Sequence, residues 1–565
     1  MSEKLKGSYI LMEALKREGV DTIFGYPGGN IIPVFDALYD YQKEFNYILM
    51  RHEQAVTHAA EGYARASGKP GVCIVTSGPG ATNTITGIGD AMMDSTPMVV
   101  ITGQANASCL GTDAFQEIDL VGITQPITKW SYQIRRAEDI AYAVSRAFHI
   151  ATTGRPGPVV LDFAKNAQNE LFEFTPKQIS VSRGYIPYPD IDNKQVETVA
   201  DLINASKKPL VLVGQGVILS NAENELKTFL EKADIPAAST LLGLSAMPSD
   251  FRLNKGFLGM HGNIAPNKKT NECDLLIGIG MRFADRVTGN VNTYAKQAKI
   301  VHIDIDVSEI GKNVHVDAKI LGDAKEALIA LTEKVKENKH TEWIESFTEF
   351  EKEEYNKVIK KSLFHNEEKI TMAEVVRKVS DATQKNAILV TDVGQNQMES
   401  ARYFQYTQSR SIVTSGGLGT MGFGLPAAIG AKIGVPERTV CMFAGDGGFQ
   451  MSIQELGTIM QSKIGVKIIL LNNNYLGMVR QWQELFFQKR YSSTPMTNPD
   501  FNAIATAYKI ANRKVTKREE LDDAIKEMLL NDEAFLLVVD VEENGLVYPM
   551  TPAGETITNI LTPES

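Results

Sequence analysis

The chain has 565 residues, 43% of them hydrophobic and 22% charged, a globular composition in a chain too long for one core. A net charge of −10 supplies no basic face for nucleic acid or anionic membranes, and no apolar run approaches the roughly 18 residues of a membrane span. Four cysteines without a CxxC and eight histidines without HxxxH or HExxH spacing argue against a disulfide framework and a zinc site. In chain order, Gly7 to Glu18 has helical apolar spacing and follows an N-terminus without a signal-peptide core, so a cytoplasmic location is expected. Val20 to Phe24 reads as a strand, closed by the tight loop Gly25-Tyr26-Pro27-Gly28-Gly29-Asn30, and Ile31 to Tyr39 as a helix. Tyr47 to Met50 is a strand ending at Arg51-His52-Glu53, and Ala55 to Ala66 is an alanine-rich helix able to pack closely. Gly71 to Thr76 delivers a second glycine loop, Ser77 to Asn83; Pro97 to Thr102 and Val159 to Phe163 are further strands.

From Phe172 to about Asn193 the pattern turns polar and proline-bearing, as in a linker. A second unit follows, with strand Pro209 to Val213, loop Gly214-Gln215-Gly216, helix Ala222 to Ala233, and strands Leu275 to Ile279 and Lys299 to Ile305. Glu333 to Lys361 is charged and reads as a solvated helical connection; a third unit opens near Thr371. Repeated strand–loop–helix units predict an α/β chain of three doubly wound parallel-sheet domains, built by repetition of one kind of unit. The expected bounds are 1–180, 190–345 and 370–545, with a tail at 546–565.

The third unit carries the most chemical stretch. Arg438 to Ala444 reads as a buried strand delivering Gly445-Asp446-Gly447-Gly448-Phe449. Ser452 to Met460 then has helical spacing, with Ile453, Leu456 and Met460 on one face, and Val466 to Leu471 delivers Asn472-Asn473-Asn474. Asp446 and Asn473 thus both lie at strand ends, where open α/β sheets bind ligands. A carboxylate, an amide oxygen and a free main-chain carbonyl suit an octahedral Mg²⁺ completed by phosphate oxygens, and the glycines let backbone approach a diphosphate. An ordinary βα turn beside an Asn-rich loop is the competing reading. Glu53 has two readings as well: a solvated carboxylate at a turn, or a proton shuttle in a low-dielectric pocket.

Further motifs fall in a recognisable order. Gly445-Asp446-Gly447 with Asn472-Asn473 resembles the thiamine diphosphate signature, and Arg51-His52-Glu53-Gln54 the matching strand end of a pyrimidine-binding domain. Tyr26-Pro27-Gly28-Gly29, Thr76 to Gly80, Gly111 to Glu117, Gly154 to Pro158, Gly259 to Gly262, Arg282 to Gly289 and Gly477 to Gln483 complete the set. Over nearly the whole chain this resembles the catalytic subunit of the acetohydroxyacid synthase (acetolactate synthase) family. The resemblance implies a pyrimidine-binding, a central FAD-binding and a diphosphate-binding domain, with the tail near the active site. It implies that pyruvate is decarboxylated and its two-carbon unit joined to a second 2-keto acid, pyruvate or 2-ketobutyrate, in branched-chain amino acid biosynthesis. Glu53 would hydrogen-bond the cofactor's aminopyrimidine and promote loss of the thiazolium C2 proton.

The residues carried over by the resemblance are as follows. Mg²⁺ would be held by Asp446, Asn473 and the carbonyl of Tyr475. Thiamine diphosphate would meet Pro27, Gly28, Glu53, Thr76, Pro79, Asn83, Gln116, Val393, Gly394, Gln395, Gly419, Met421, Gly445, Asp446, Gly447, Gly448, Asn473 and Met478, with Met421 as the apolar prop under the bent cofactor. Structural FAD would meet Arg155, Gly214, Gly216, Thr240, Leu241, Leu258, Gly259, Met260, His261, Gly280, Arg282, Asp285, Arg286, Val287, Asp304, Ile305, Gly322 and Asp323. Arg286 would clamp the second keto acid's carboxylate with a planar fork that lysine lacks. Trp482 would favour 2-ketobutyrate, with Gly29, Phe115, Met260 and Val393 around the substrate; Gln116 and Lys165 would act near the cofactor and entrance. Core packing is the competing reading for Met421, Val393 and Trp482, and a surface cation for Arg286.

Several positions depart from the family pattern: Ala284 stands for an aspartate, the segment Gln395 to Glu399, with Asn396 and Glu399, stands where many members have His and Trp, and Asn106 replaces a proline near the channel mouth. The resemblance also implies a homodimer or homotetramer with sites between protomers, and a small regulatory subunit. An FAD-independent catabolic acetolactate synthase is the nearest alternative, opposed by Arg282 to Gly289 and Trp482; a pyruvate oxidase-like flavoenzyme is another. Glu53 opposes a glyoxylate carboligase, and Glu53, Asp446 and Asn473 together oppose a non-catalytic nucleotide-binding scaffold.

Overall fold

The computed structural model describes residues 4–180, 184–364 and 368–563. The first three residues of the N-terminal unit, linker positions 181–183 and the last two residues of the tail lie outside the described residues. Three six-stranded sheets, each parallel throughout, carry the chain. Their central strands are apolar runs such as Pro209–Val213 and Val440–Gly445, because both faces of a parallel sheet are covered by helices.

The N-terminal sheet runs Asn46–Leu49, Thr22–Tyr26, Gly71–Val75, Met98–Gln104, Pro158–Ala164, Trp130–Ile134. The C-terminal sheet runs Ile412–Val413, Ile388–Thr391, Val440–Gly445, Lys467–Asn472, Phe535–Asp540, Ala511–Val515. Numbered within each unit, both orders are 2-1-3-4-6-5, so these two units repeat one topology. The central sheet runs Asn254–Phe257, Ala237–Ser239, Pro209–Val213, Leu275–Ile279, Lys299–Asp304, Ala318–Leu321. Its order is 3-2-1-4-5-6, the dinucleotide-binding arrangement. Repetition of a single unit, expected from the sequence, therefore holds for the outer pair and not for the middle.

The outer units pack through the helices Glu53–Ser67 and Gly424–Gly434, whose small residues bring the two backbones together. Val56, Ala59 and Tyr63 share one core with Leu425, Ala428 and Ile429.

Several local expectations are corrected. Gly445 to Gly448 does not form an open loop, because Asp446–Gln450 is already helical. The helix expected over Ser452 to Met460 is split into a 3-10 turn, Ile453–Glu455, and a helix, Leu456–Ser462. That turn resets the register, so Leu456 and Ile459 face inward and Met460 outward. Gln215 likewise opens a helix, Gln215–Leu219. The connection over Glu333 to Lys361 is helical with its charged face in solvent, as expected, but its other face is docked: Trp343, Phe347 and Val358 are buried, and buried Glu354 pairs with Arg402 at 2.5 Å. The stretch read as a linker is also anchored, since Tyr185 accepts a hydrogen bond from Lys129 and donates one to the Thr153 carbonyl. All four cysteines are free thiols, three of them buried.

Candidate active site

In open α/β sheets, ligands collect beyond the strand ends where the strand order reverses. In the N-terminal sheet that point lies between Thr22–Tyr26 and Gly71–Val75, which release Pro27-Gly28-Gly29 and Thr76 to Asn83. In the C-terminal sheet it lies between Ile388–Thr391 and Val440–Gly445, which release Val393-Gly394-Gln395 and Asp446-Gly447-Gly448. The central sheet turns between Pro209–Val213 and Leu275–Ile279, which end at Gly214 and Gly280.

At the C-terminal point, Asp446 is fully buried. Its Oδ2 accepts from Asn498 Nδ2 at 2.6 Å, and its Oδ1 has no hydrogen-bond partner. Burial pushes the carboxyl up, against the hydrogen bond from Asn498. Asn473, also buried, donates Nδ2 to Gln395 Oε1 at 3.3 Å, and its Oδ1 accepts the Tyr475 N–H at 3.2 Å. An unpaired buried carboxylate oxygen costs several kcal/mol in this setting unless a cation or donor meets it. The donor set of one carboxylate, one amide oxygen and nearby main-chain carbonyls fits a hard divalent ion. Gly447 is closely covered by side chains, since a Cβ there would come within 2.6 Å of Leu476 Cδ2, which would have to move, and would lie 3.8 Å from Met421 Cε. Gly394, with φ of 127°, and Gly445 leave open space beside Asn396 Nδ2, room for a diphosphate against bare backbone.

At the N-terminal point, Glu53 is the first residue of its helix and accepts from Asn83 Nδ2 at 2.9 Å. A Cβ on Gly80 would lie 3.2 Å from Glu53 Oε1, and one on Gly28 would lie 2.5 Å from Thr76 Cβ, so Pro79, Gly28 and Thr76 form one surface with Glu53. Gln116, at φ of 60°, sits beside Gly78. Phe115 next to it is 85% exposed, Gly29 faces open space, and Lys165 opens the helix that follows Pro158–Ala164. Among the described residues, no hydrogen bond joins this set to the Asp446 set.

A cavity of about 540 Å³ runs along the central sheet to the C-terminal one. Arg155, Gly216, Thr240, Leu241, Leu258, Met260, His261, Gly280, Arg282, Arg286, Val287, Asp304, Ile305 and Asp323 line it, and Val393, Gly394, Gly419, Met478 and Trp482 close its far end. Gly214, Gly259, Asp285 and Gly322 support its walls without lining it: Gly214 donates its N–H to Ile279, and Gly259 donates to Asn267. Gly280 has φ of +58°, and a Cβ there would come within 2.5 Å of Gly216 Cα. Burial pushes the Asp304 carboxyl up to about 6 and His261 down to about 3. Arg286 pairs with Asp285 at 2.6 Å, and its side chain, 63% exposed, lies on the cavity rim. Trp482 packs on Phe486 with ring centroids 4.9 Å apart. The tail reaches this rim, with the Thr551 N–H on the Met260 carbonyl at 2.7 Å and Gly289 bridged to Thr556.

Sequence reasoning missed Asn498 on Asp446, and Tyr188, Glu309 and Gln397 in the cavity. Tyr188 lies in the stretch read as a linker, and Asn498 carries no local pattern that marks it. Of the departures, Asn396 donates to the Val393 carbonyl at 3.3 Å beside Gly445, while Glu399 is buried, with burial pushing its carboxyl up to about 8.

Comparison with known proteins agrees with this division of labour. Residues 5–123, 196–331 and 392–540 match, in turn, the N-terminal thiamine pyrophosphate (TPP) binding domain, the central domain and the C-terminal TPP binding domain of thiamine pyrophosphate enzymes. The acetolactate synthase large subunit of Lactococcus lactis is 44% identical over 98% of this chain and 96% of its own. Isozyme 2 of the Escherichia coli large subunit is 42% identical over 99% of both. The Corynebacterium glutamicum large subunit is 43% identical over 99% of this chain and 90% of its own. No helix among the described residues is long and apolar enough to cross a membrane. Similarity of this extent, with a thiamine pyrophosphate domain at each end, places the chain in the acetolactate synthase large-subunit family of thiamine pyrophosphate enzymes.

Proposed function

We propose that the chain carries out its family's carboligation, decarboxylating pyruvate and joining the two-carbon unit to pyruvate or 2-ketobutyrate. The observation that carries this reading is the buried, unpaired Oδ1 of Asp446 at a strand-order reversal, with Asn473 following the neighbouring strand. In this reading Asp446, Asn473 and the Tyr475 carbonyl hold Mg²⁺, and the bare backbone of Gly394, Gly445 and Gly447 receives the diphosphate. Bound thiamine diphosphate supplies the electron sink for decarboxylation. Glu53 moves a proton at the aminopyrimidine; Arg286 orients the acceptor carboxylate on the rim; Trp482, Met260 and Val393 exclude water and shape the acceptor side.

FAD fits the central cavity, because the 3-2-1-4-5-6 strand order reverses at Gly214 and Gly280, and the chain there is bare enough to meet a dinucleotide. A Gly280→Ala chain is expected to purify with about tenfold less flavin, since an αL alanine costs roughly 1–2 kcal/mol before any clash. Flavin absorbance per chain measures this, and undiminished flavin would remove Gly280 from the site.

Among the described residues Glu53 and Asp446 share no hydrogen-bonded set within one chain, and exposed Phe115 belongs to the Glu53 side. Both fit a homodimer or homotetramer in which one protomer's Glu53 serves the partner's cofactor. The relatives' designation as large subunits supports a small regulatory partner. Cytoplasmic residence accords with biosynthetic work on soluble keto acids. The decisive experiment is pyruvate turnover by the purified chain with and without Mg²⁺, thiamine diphosphate and FAD, plus competition between pyruvate and 2-ketobutyrate. Acetolactate formed only with thiamine diphosphate and Mg²⁺ is the expected result; acetate or acetyl phosphate with reduced flavin would overturn it.

A further inference from the structure

Glu53 owes its direction to a turn that its own domain only partly holds. The strand Asn46–Leu49 ends, and Met50-Arg51-His52 must swing the chain so that Glu53 opens the next helix with its carboxylate outward. Backbone groups in such a turn need partners. The Met50 N–H is taken by the Gly25 carbonyl at 3.2 Å, inside the N-terminal sheet. The His52 ring accepts the Gln54 N–H at 3.1 Å, capping the helix. The Arg51 N–H, by contrast, is taken by the C-terminal domain: it lies 3.1 and 3.2 Å from the two carboxylate oxygens of Glu455.

Glu455 ends the 3-10 turn that follows the Asp446 helix, and it is fully buried. Its Oε2 also accepts from Thr458 Oγ1 at 2.6 Å, and the His52 backbone N–H supports its charged form. The Arg51 guanidinium answers across the same boundary, donating to the Gly457 carbonyl at 3.2 Å and Gln461 Oε1 at 2.7 Å, and back to the Leu49 carbonyl at 3.0 Å. The remaining space is closed, since a Cβ on Gly457 would sit 3.0 Å from Arg51 Nε. Burying a carboxylate costs several kcal/mol unless its lone pairs are met. Here they are met by Thr458 and by the turn that aims Glu53, and burial still pushes the group up to about 7.

We infer that Glu455 is a positioning residue for the known site: from the C-terminal domain it grips the Arg51–His52 backbone and fixes where Glu53 points. The anchoring half rests on this geometry; the catalytic half rests on the function proposed above. Each protomer's cofactor-binding segment thereby holds the glutamate that its N-terminal domain presents.

The test uses the full chain with Glu455→Ala and Glu455→Gln. Amide hydrogen–deuterium exchange in the cofactor-free chain reads the anchor, and C2–H exchange of thiamine diphosphate bound with Mg²⁺ reads the aim. For Glu455→Ala, exchange at residues 50–54 should rise about tenfold, while the strands Val440–Gly445 and Lys467–Asn472 stay protected. Its C2–H exchange should slow about tenfold or more with cofactor affinity held within about threefold, as for a misplaced catalytic group. Glu455→Gln keeps one oxygen acceptor and should recover most of both. Unchanged exchange at 50–54, or loss of protection across the whole C-terminal sheet, would overturn the inference. So would a loosened turn with an undiminished C2–H rate. A Glu53→Gln control exchanging C2–H like the unaltered chain would instead bring down the parent reading, and this inference with it.

Discussion

A Glu53→Gln chain is expected to lose about 10²- to 10⁴-fold in carboligation rate while binding thiamine diphosphate and Mg²⁺ nearly as before. Glutamine preserves the length of the side chain and can still accept from Asn83 Nδ2, the bond that holds Glu53 at 2.9 Å. It also keeps the helix start, because capping is done by the His52 ring and not by Glu53 itself. What glutamine cannot do is exchange a proton with the aminopyrimidine. The metal ligands and diphosphate cradle lie on other strands, so the loss should fall on kcat and not on cofactor affinity. Calorimetric titration of cofactor beside steady-state kinetics separates the two. A glutamine chain that turns over pyruvate at the full rate would end the assigned role. A chain that binds no cofactor would show that Glu53 serves binding and not proton transfer.

The sequence made the parallel strands visible because burial on both faces leaves uninterrupted apolar runs, as in Leu275–Ile279, whose bounds the apolar pattern marks. Strands such as Asn254–Phe257 and Ile412–Val413 were not legible. They are short edge strands whose residues have one neighbour, and Asn-Lys-Gly-Phe has no strand pattern of its own. The same logic divides the site. Asp446 and Asn473 were readable because ligands gather at parallel strand ends, a local rule. Asn498 reaches Asp446 from a later loop of the same unit, and Glu455 acts on Arg51 through a contact that exists only after the outer units dock. The Ser452 to Met460 error has a related cause: apolar spacing fitted one helix, but Glu455 has to reach Arg51, and the 3-10 turn that lets it do so shifts every later side chain.

Docking of the outer units is where the second large effect is expected: Gly430→Ala should lower stability although alanine is the better helix former. In the interior of a helix the change from glycine is favourable by about 1 kcal/mol on propensity alone. Gly430, however, lies in Gly424–Gly434 where that helix crosses Glu53–Ser67, and an added Cβ would overlap the Ala59 carbonyl oxygen. The contact is reciprocal, because a Cβ on Gly62 would overlap the Ala427 carbonyl. The obstacle in both cases is backbone, which cannot rotate aside as a side chain would, so the cost should reach or exceed the about 1–3 kcal/mol usual for overpacking. The steric cost then exceeds the propensity gain, and the thermal midpoint should fall by several degrees, at roughly 2–4 °C per kcal/mol for domains of this size. Gly434→Ala is the internal comparison. Its Cβ would stand 3.1 Å from the Tyr63 carbonyl oxygen and 3.2 Å from Ser67 Cβ, distances a slight shift relieves, so its midpoint should move much less. Because the crossed helix begins at Glu53, Gly430→Ala should also depress kcat in the surviving folded enzyme, whereas Gly434→Ala should not. A Gly430→Ala chain more heat-resistant than its parent, as propensity alone dictates, would show that the two helices do not pack at this distance.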